Sequence, residues 1–350
     1  MVAIGVVPAP LAGAVSGKLG AVELLGDEAD HVRVGALHAL AGLAKTWPGM
    51  QQTVIDILCA YLRRPFDHIQ YRTARGMTGP VVDADKADNE RQVRLTSQRL
   101  IQDLLTAAAE PMRLDLTGAV LENFTLRSVK LTSLQADNAS FHQATVFESI
   151  KATSELSLRG ATLFGTAKFT YCELGGLTLD DAIFHGDADF SASNLSGKCR
   201  ALATAFRGAL KCQSVSFGSD VTWRIDVTGS ADFDDAIFQW GVDLSDSQFR
   251  GDATFDGAYL LKGEERTGKP TSFEDVAFGQ SLSFRIGEPI PVGFTGLMRV
   301  RSRSSAVVPP AFEVVPHNKT WHSIRRRQSD PPDTRFMRTA EQPGGRIHPP

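Results

Sequence analysis

The chain is poor in the residue sets that chemistry needs. Its 350 residues include four cysteines, Cys59, Cys172, Cys199 and Cys212, and no C-x-x-C pair. That spacing argues against a zinc site, and so few thiols suit a reducing compartment. The eight histidines are scattered, and none forms H-E-x-x-H or stands at ligand spacing from a cysteine. There is no G-x-x-x-x-G-K-[ST] phosphate loop and no G-x-S-x-G elbow. No metal, cofactor or small-molecule substrate is expected, and the chain reads as a non-enzyme. A formal net charge of −3 implies neither wholesale nucleic-acid binding nor a wholly acidic surface. The weakly apolar stretch Met1 to Val15 is interrupted by Pro8 and Pro10. It is too short to span a bilayer and lacks the basic region of a secretory signal. It reads as a flexible leader (1–18) of a cytoplasmic protein. Membrane association is the alternative if the true N-terminus lies upstream.

What is present is a hydrophobic beat of five or six residues, from about Leu116 to Phe284. Its centres include Leu158, Leu163, Phe169, Leu174, Leu179, Phe184, Phe190 and Leu195, then Phe233, Phe238, Leu244, Phe249, Phe255 and Leu260. Two residues before most centres stands a small residue, such as Ala161, Ala167, Ala182, Ala188, Ala231, Ala236, Ala253 or Ala258. A helix has a period near 3.6 and a simple strand a period of 2. A period of five sustained over half the chain means a solenoid, whose units bury their apolar sides only by stacking. Four steps make a turn of about 21 or 22 residues, giving roughly eight turns and a rod on the order of 40 Å long. Seven six-residue steps each contain a glycine: Gly165, Gly186, Gly208, Gly218, Gly241, Gly251 and Gly279. The extra residue predicts a corner at which glycine supplies positive φ. The stretches Ala144 to Glu155 and Ser196 to Ala203 read as irregular.

Flanking segments differ in kind. Residues 19–111 read as an α-helical capping region. Val34, Leu37, Leu40, Ala41 and Ala44 line one helix. Trp47-Pro48-Gly49 breaks it, and Val54, Ile57, Leu58, Tyr61 and Leu62 line the next. A polar loop is predicted over 67–82, then a third helix with Val93, Leu100, Ile101 and Leu104 on its apolar face. The solenoid spans 112–286 with a charged loop at 261–270. Residues 287–350, rich in Arg, Pro and Ser, read as a disordered tail.

Units such as Ala161-Thr162-Leu163-Phe164-Gly165 and Ala231-Asp232-Phe233-Asp234-Asp235 resemble the pentapeptide-repeat proteins, whose unit is Ala-(Asp/Asn)-(Leu/Phe)-x-x. The segment Val32 to Leu40 is similar to the helical region that precedes the repeats in a bacterial subgroup. Members of that subgroup often carry transmembrane helices upstream, and the chain departs from them there. The resemblance implies a mainly β fold: a right-handed quadrilateral β-helix with the centre and the small residue pointing inward. It also implies an interaction or scaffolding role with a protein partner. A DNA-mimicking regulator of a DNA topoisomerase is an alternative, since some members protect gyrase, and a membrane-associated signalling component is another.

Charge is uneven along the chain. Glu173 to Asp256 carries 14 acidic and 6 basic residues, a net of −8, and Arg299 to the end carries 10 basic and 4 acidic, a net of +6. The acidic flank bears on mimicry, and the basic tail on contact with nucleic acid or an anionic membrane. The pairs Asp180-Asp181 and Asp234-Asp235 fall at outward positions and are expected in water, as are His142 and His185. Trp223 is on the beat and expected in the core. Partner contacts are expected at Lys262, Glu264, Glu265 and Arg266 of the charged loop, at the helical cap, or at both, with the acidic walls secondary, and at Trp240, which is out of beat.

Overall fold

The computed structural model describes residues 9–74, 83–260, 271–286, 298–301 and 305–327. Helices come first: α1 (Ala9–Leu24), α2 (Asp30–Thr46), α3 (Gln51–Leu62), α4 (Ile69–Ala74) and α5 (Ala84–Ala107). Leu37, Leu40, Leu58, Leu62, Ile101 and Leu104 meet in a common core, as their 3.6-residue spacing requires. Asp83 caps α5 by accepting the Lys86 backbone N–H. Two expectations need correction. The leader expected through residue 18 is helical from Ala9 on, and Ala21 of α1 is buried, as is Leu25 just beyond its end. The predicted loop 67–82 contains α4. This short helix is held from outside, because Tyr71 stacks on the His142 ring and donates to Glu122 at 2.7 Å.

Beyond α5 the chain winds into a four-walled parallel β-solenoid. The first wall stacks Leu121, Phe141, Leu163, Phe184, Phe206, Val227, Phe249, Phe278 and Val300 in register. The second wall is a separate nine-stranded sheet. The third stacks Leu131, Ala152, Leu174, Leu195, Phe217, Phe238 and Leu260, and the fourth runs from Leu114 to Val242. The two stretches expected to be irregular hold the long strands Lys151–Ser157 and Cys199–Phe206, which run through corners and shift register there. Inside, identical rings repeat at the strand spacing of about 4.8 Å. Phe169 stacks on Phe190 at 4.8 Å, Phe184 on Phe206 at 4.7 Å and Phe233 on Phe255 at 4.7 Å. Trp223 is buried among them.

The corners are of two kinds, and the glycines are not where positive φ is needed. Between the fourth and first walls, and between the second and third, the step is mostly five residues. Its second outward residue is left-handed, as at Asn138 (56°), Asp181 (57°), Ala192 (57°) and Asp235 (56°). Among the described glycines, only Gly118, Gly160 and Gly257 have positive φ. The glycines of the six-residue steps answer a different need. A Cβ on Gly186 would stand 2.5 Å from the carbonyl oxygen of Gly165, and one on Gly208 would stand 2.6 Å from the carbonyl carbon of Gly186. These corners bring backbone onto backbone, and no side chain fits between coils. Gly186→Ala should therefore destabilise by about 3 kcal/mol. Ala192→Gly should shift stability by less than about 1 kcal/mol, because relief of left-handed strain offsets the added chain entropy. Thermal unfolding of the two variants checks the assignment, and equal losses would refute it.

A stack of strands ends in unpaired backbone groups. At the N-terminal end glutamines supply the missing strand. Gln52 accepts from the Arg113 N–H at 2.8 Å and donates to the Arg113 carbonyl at 2.9 Å. Gln102 does the same for Arg127, at 2.9 and 3.1 Å. Gln98, only 8% exposed, accepts from the Glu122 N–H at 3.1 Å. Arg94 donates to the last carbonyls of α3, including that of Leu62, and to Val120 in the first coil at 3.4 Å. Burial opposes the Glu122 charge, but hydrogen bonds from Arg91 and Tyr71 hold its carboxyl below the usual range. Gln98→Leu leaves a buried N–H without an acceptor, so a loss of about 1–3 kcal/mol is expected. Gln102→Leu, where water can replace the amide, should lose less than half as much. Hydrogen exchange of the first-coil amides, read beside urea unfolding, tests this order.

The C-terminal end corrects the expectation of a disordered tail from 287. Met298–Val300 adds to the first wall and Ala306–Val307 to the second. A hairpin, Phe312–Pro316 with His322–Arg326, then joins antiparallel to Met298–Val300. Phe312 packs edge-on against Phe284 at 6.2 Å, and Ile324 is buried. The last coil leaves an apolar end and a free edge, and the hairpin covers both. Residues 287–297, 302–304 and 328–350 lie outside the described residues.

Candidate interaction surface

With the beat residues inside, each coil offers partners its outward positions. On the third wall the residue before each centre forms a ladder: Lys130, Lys151, Glu173, Asn194, Ser216, Ile237 and Tyr259. It begins charged, with Lys151 paired to Glu173 at 2.6 Å. It ends apolar, with Ile237 37% exposed and Tyr259 49% exposed on adjacent strands. Trp240 is half-buried at the bend after Ile237–Phe238. The other four predicted contact residues, Lys262, Glu264, Glu265 and Arg266, lie outside the described residues. Their segment, 261–270, follows directly on Tyr259-Leu260 in sequence. Ile237 and Tyr259 escaped the sequence reading. The available signal was a large apolar residue one position before a centre, where the pattern otherwise places polar or small ones.

The acidic residues of the coils have structural work. Asp180 accepts from the Leu202 N–H at 3.0 Å, Asp187 from Ala209 at 2.8 Å and Asp234 from Asp256 at 2.8 Å. Asp252 accepts from Ser281 at 3.0 Å and Asp256 from Arg285 at 3.2 Å. Each carboxylate thus bonds the backbone of the next coil. Asp180, expected in water, is only 5% exposed and pairs with Arg200 at 2.9 Å. Its neighbour Asp181 is exposed, so the two diverge and cannot act on one atom. Asp234 is partly buried, with Asp235 exposed at the left-handed corner beside it. A shallow groove of about 770 Å³ lies on the fourth wall. Arg159, Lys198, Arg200 and Arg224 face Glu155, Asp220 and Asp243 across it, so its charges largely cancel.

His142, expected on the surface, is 2% exposed. It lies between the Tyr71 ring at 4.1 Å and the Phe164 ring at 4.6 Å, and His185 continues the stack at 5.1 Å. This outer column starts under α4, so the helical cap converts a surface histidine into an interface one. His185 remains exposed.

The cysteine thiols are shielded from solvent. All four cysteines are free and buried. Burial pushes the Cys172 thiol up to about 11 and the Cys199 thiol up to about 12. Among the described residues no group of three or more His, Cys, Asp or Glu could hold a metal ion, and no helix is long and apolar enough to cross a membrane. Iodoacetamide at pH 8 should leave all four thiols unmodified in the folded protein and alkylate all four in urea. Mass spectrometry reads the difference, and rapid native labelling would contradict the burial.

Comparison with known proteins agrees with this geometry. A family model described as pentapeptide repeats (9 copies) matches residues 154–194. No curated protein and no solved structure matches the chain.

Proposed function

The chain belongs to the pentapeptide-repeat family, and on that premise we propose a non-enzymatic scaffold that holds a protein partner on its third wall. The observation that carries this reading is the in-register pair Ile237 and Tyr259, large apolar side chains left in water on a rigid sheet. Partly exposed aromatic residues on a preorganised surface are what an interface centre uses. Trp240 and the charged segment 261–270, with Lys262, Glu264, Glu265 and Arg266, would form its rim. Coil-to-coil backbone bonds fix the wall, so little ordering entropy is lost on binding.

The acidic walls give less support to imitation of DNA at a topoisomerase. Their carboxylates are largely engaged in hydrogen bonds to the next coil or in ion pairs with Arg200, Arg207, Arg250 and Arg285. A surface that mimics the phosphate backbone needs free negative charge in a continuous row.

Tyr259→Asp with Ile237→Asp should leave melting within about 0.5 kcal/mol, since both side chains are exposed. It should weaken capture of the partner by about thirtyfold, the effect of losing a central aromatic anchor. Affinity capture from native lysate with quantitative mass spectrometry, run beside an Asp235→Asn control, measures this. Identical partners and recoveries for all three proteins would remove the third wall as the docking face. A supercoiling assay on the captured fraction separates scaffolding from topoisomerase control.

A further inference from the structure

The first wall carries a cleft at its C-terminal end that the scaffold reading does not use. Gln248, Ala277 and Arg299 are in-register neighbours on three successive coils. One inward residue later in each coil, the outward position returns as Arg250, Gly279 and Arg301. The middle coil thus contributes only a methyl group and a hydrogen, and the wall dips between its neighbours. Trp321, from the C-terminal hairpin, lines the dip as well, and the cavity measures about 380 Å³. Among the described residues three arginines line it and no carboxylate does.

The guanidinium groups are held in place without being used up. Arg250 bonds both oxygens of Asp226 through Nε and one Nη, at 2.7 and 2.9 Å. Its other Nη is left for a ligand. Arg299 reaches Asp275 through one Nη at 3.0 Å, and its Nε is buried with no hydrogen-bond partner. Arg301 is exposed and makes no ion pair among the described residues. Arginine forks match phosphate oxygens two at a time. An indole beside them offers a stacking surface to a base. The volume lies within the range of small-molecule sites, about 300–1,000 Å³. We propose that this cleft binds a free nucleotide, its phosphates on Arg299 and Arg301 and its base against Trp321. Arg301, together with the N–H donors that Asp226 and Asp275 leave unused on Arg250 and Arg299, suits the several oxygens of a phosphate chain better than a single carboxylate, and a peptide carboxylate would leave the indole without a role.

Titration calorimetry of the full chain with ADP, inorganic pyrophosphate, a ten-residue thymidine oligonucleotide and a glutamate-rich peptide decides the matter. ADP is expected to bind with a Kd below about 1 mM. Arg301→Glu should weaken it at least about tenfold, or 1.4 kcal/mol. Trp321→Ala should weaken ADP but not pyrophosphate. Arg301→Gln, a milder change on an exposed side chain, gives the same reading if either variant disturbs the hairpin by circular dichroism. No binding of ADP by the unaltered protein overturns the proposal, as does ADP binding that Arg301→Glu and Arg301→Gln leave unchanged. Tighter binding of the peptide or of the oligonucleotide, lost in Arg301→Glu, overturns it too and reassigns the cleft to that class.

Discussion

Each coil of this protein is tied to the next by backbone hydrogen bonds along the rod axis, and that axial ladder constrains everything else. A repeat of about 4.8 Å leaves room for one layer of side chains per coil. It stacks phenylalanine on phenylalanine in the interior, as at Phe169 and Phe190. It forbids a Cβ at Gly186, where backbone meets backbone. The left-handed corners at Asn138 and Asp181 turn the chain while their amides still reach the coil above. Even the aspartates serve it, because Asp187 and Asp234 give the next coil's N–H groups the acceptors the corner denies them.

The same ladder makes the ends the weak points, and the two ends are closed by different means. At the start, Gln52, Gln98 and Gln102 present side-chain amides as a substitute strand, while Arg94 gathers the loose carbonyls of α3. At the finish, the chain reverses direction and pairs antiparallel, which stops parallel addition of a further coil. Only one cap is helical, so the helical region is an integral part of the stack and not a separate appendage.

Because coil stacking uses the inward residues, function is left to the outward ones. Most of these are polar and tied to neighbours in the adjacent coil. Ile237 and Tyr259 stand out because large apolar side chains in water have no structural reason on that wall. The arginine-lined cleft stands out for the opposite reason, since its cations exceed the carboxylates placed to neutralise them. The two surfaces lie on different walls, so a partner on one need not exclude a ligand on the other.

The amino-acid pattern alone determined the solenoid, its four-step turn, and which residues face inward. Those follow from spacing, and a beat of five admits few packings. The cap of helices around Val54, Leu58 and Ile101 was legible for the same reason, from a period of 3.6. What the pattern could not carry were relations between residues 20 or more apart. Glycine at a six-residue corner looks the same whether it supplies positive φ or close approach, and only the coil beneath Gly186 decides. Asp180 and His142 read as solvated because they follow a centre, yet Arg200 covers one and Tyr71 the other. The strands at Phe312–Pro316 and His322–Arg326 are hidden in an Arg- and Ser-rich composition, and they form because an open solenoid end must be covered. Local periodicity fixes the fold of a repeat, while tertiary contact decides which of its outward residues remain free to bind.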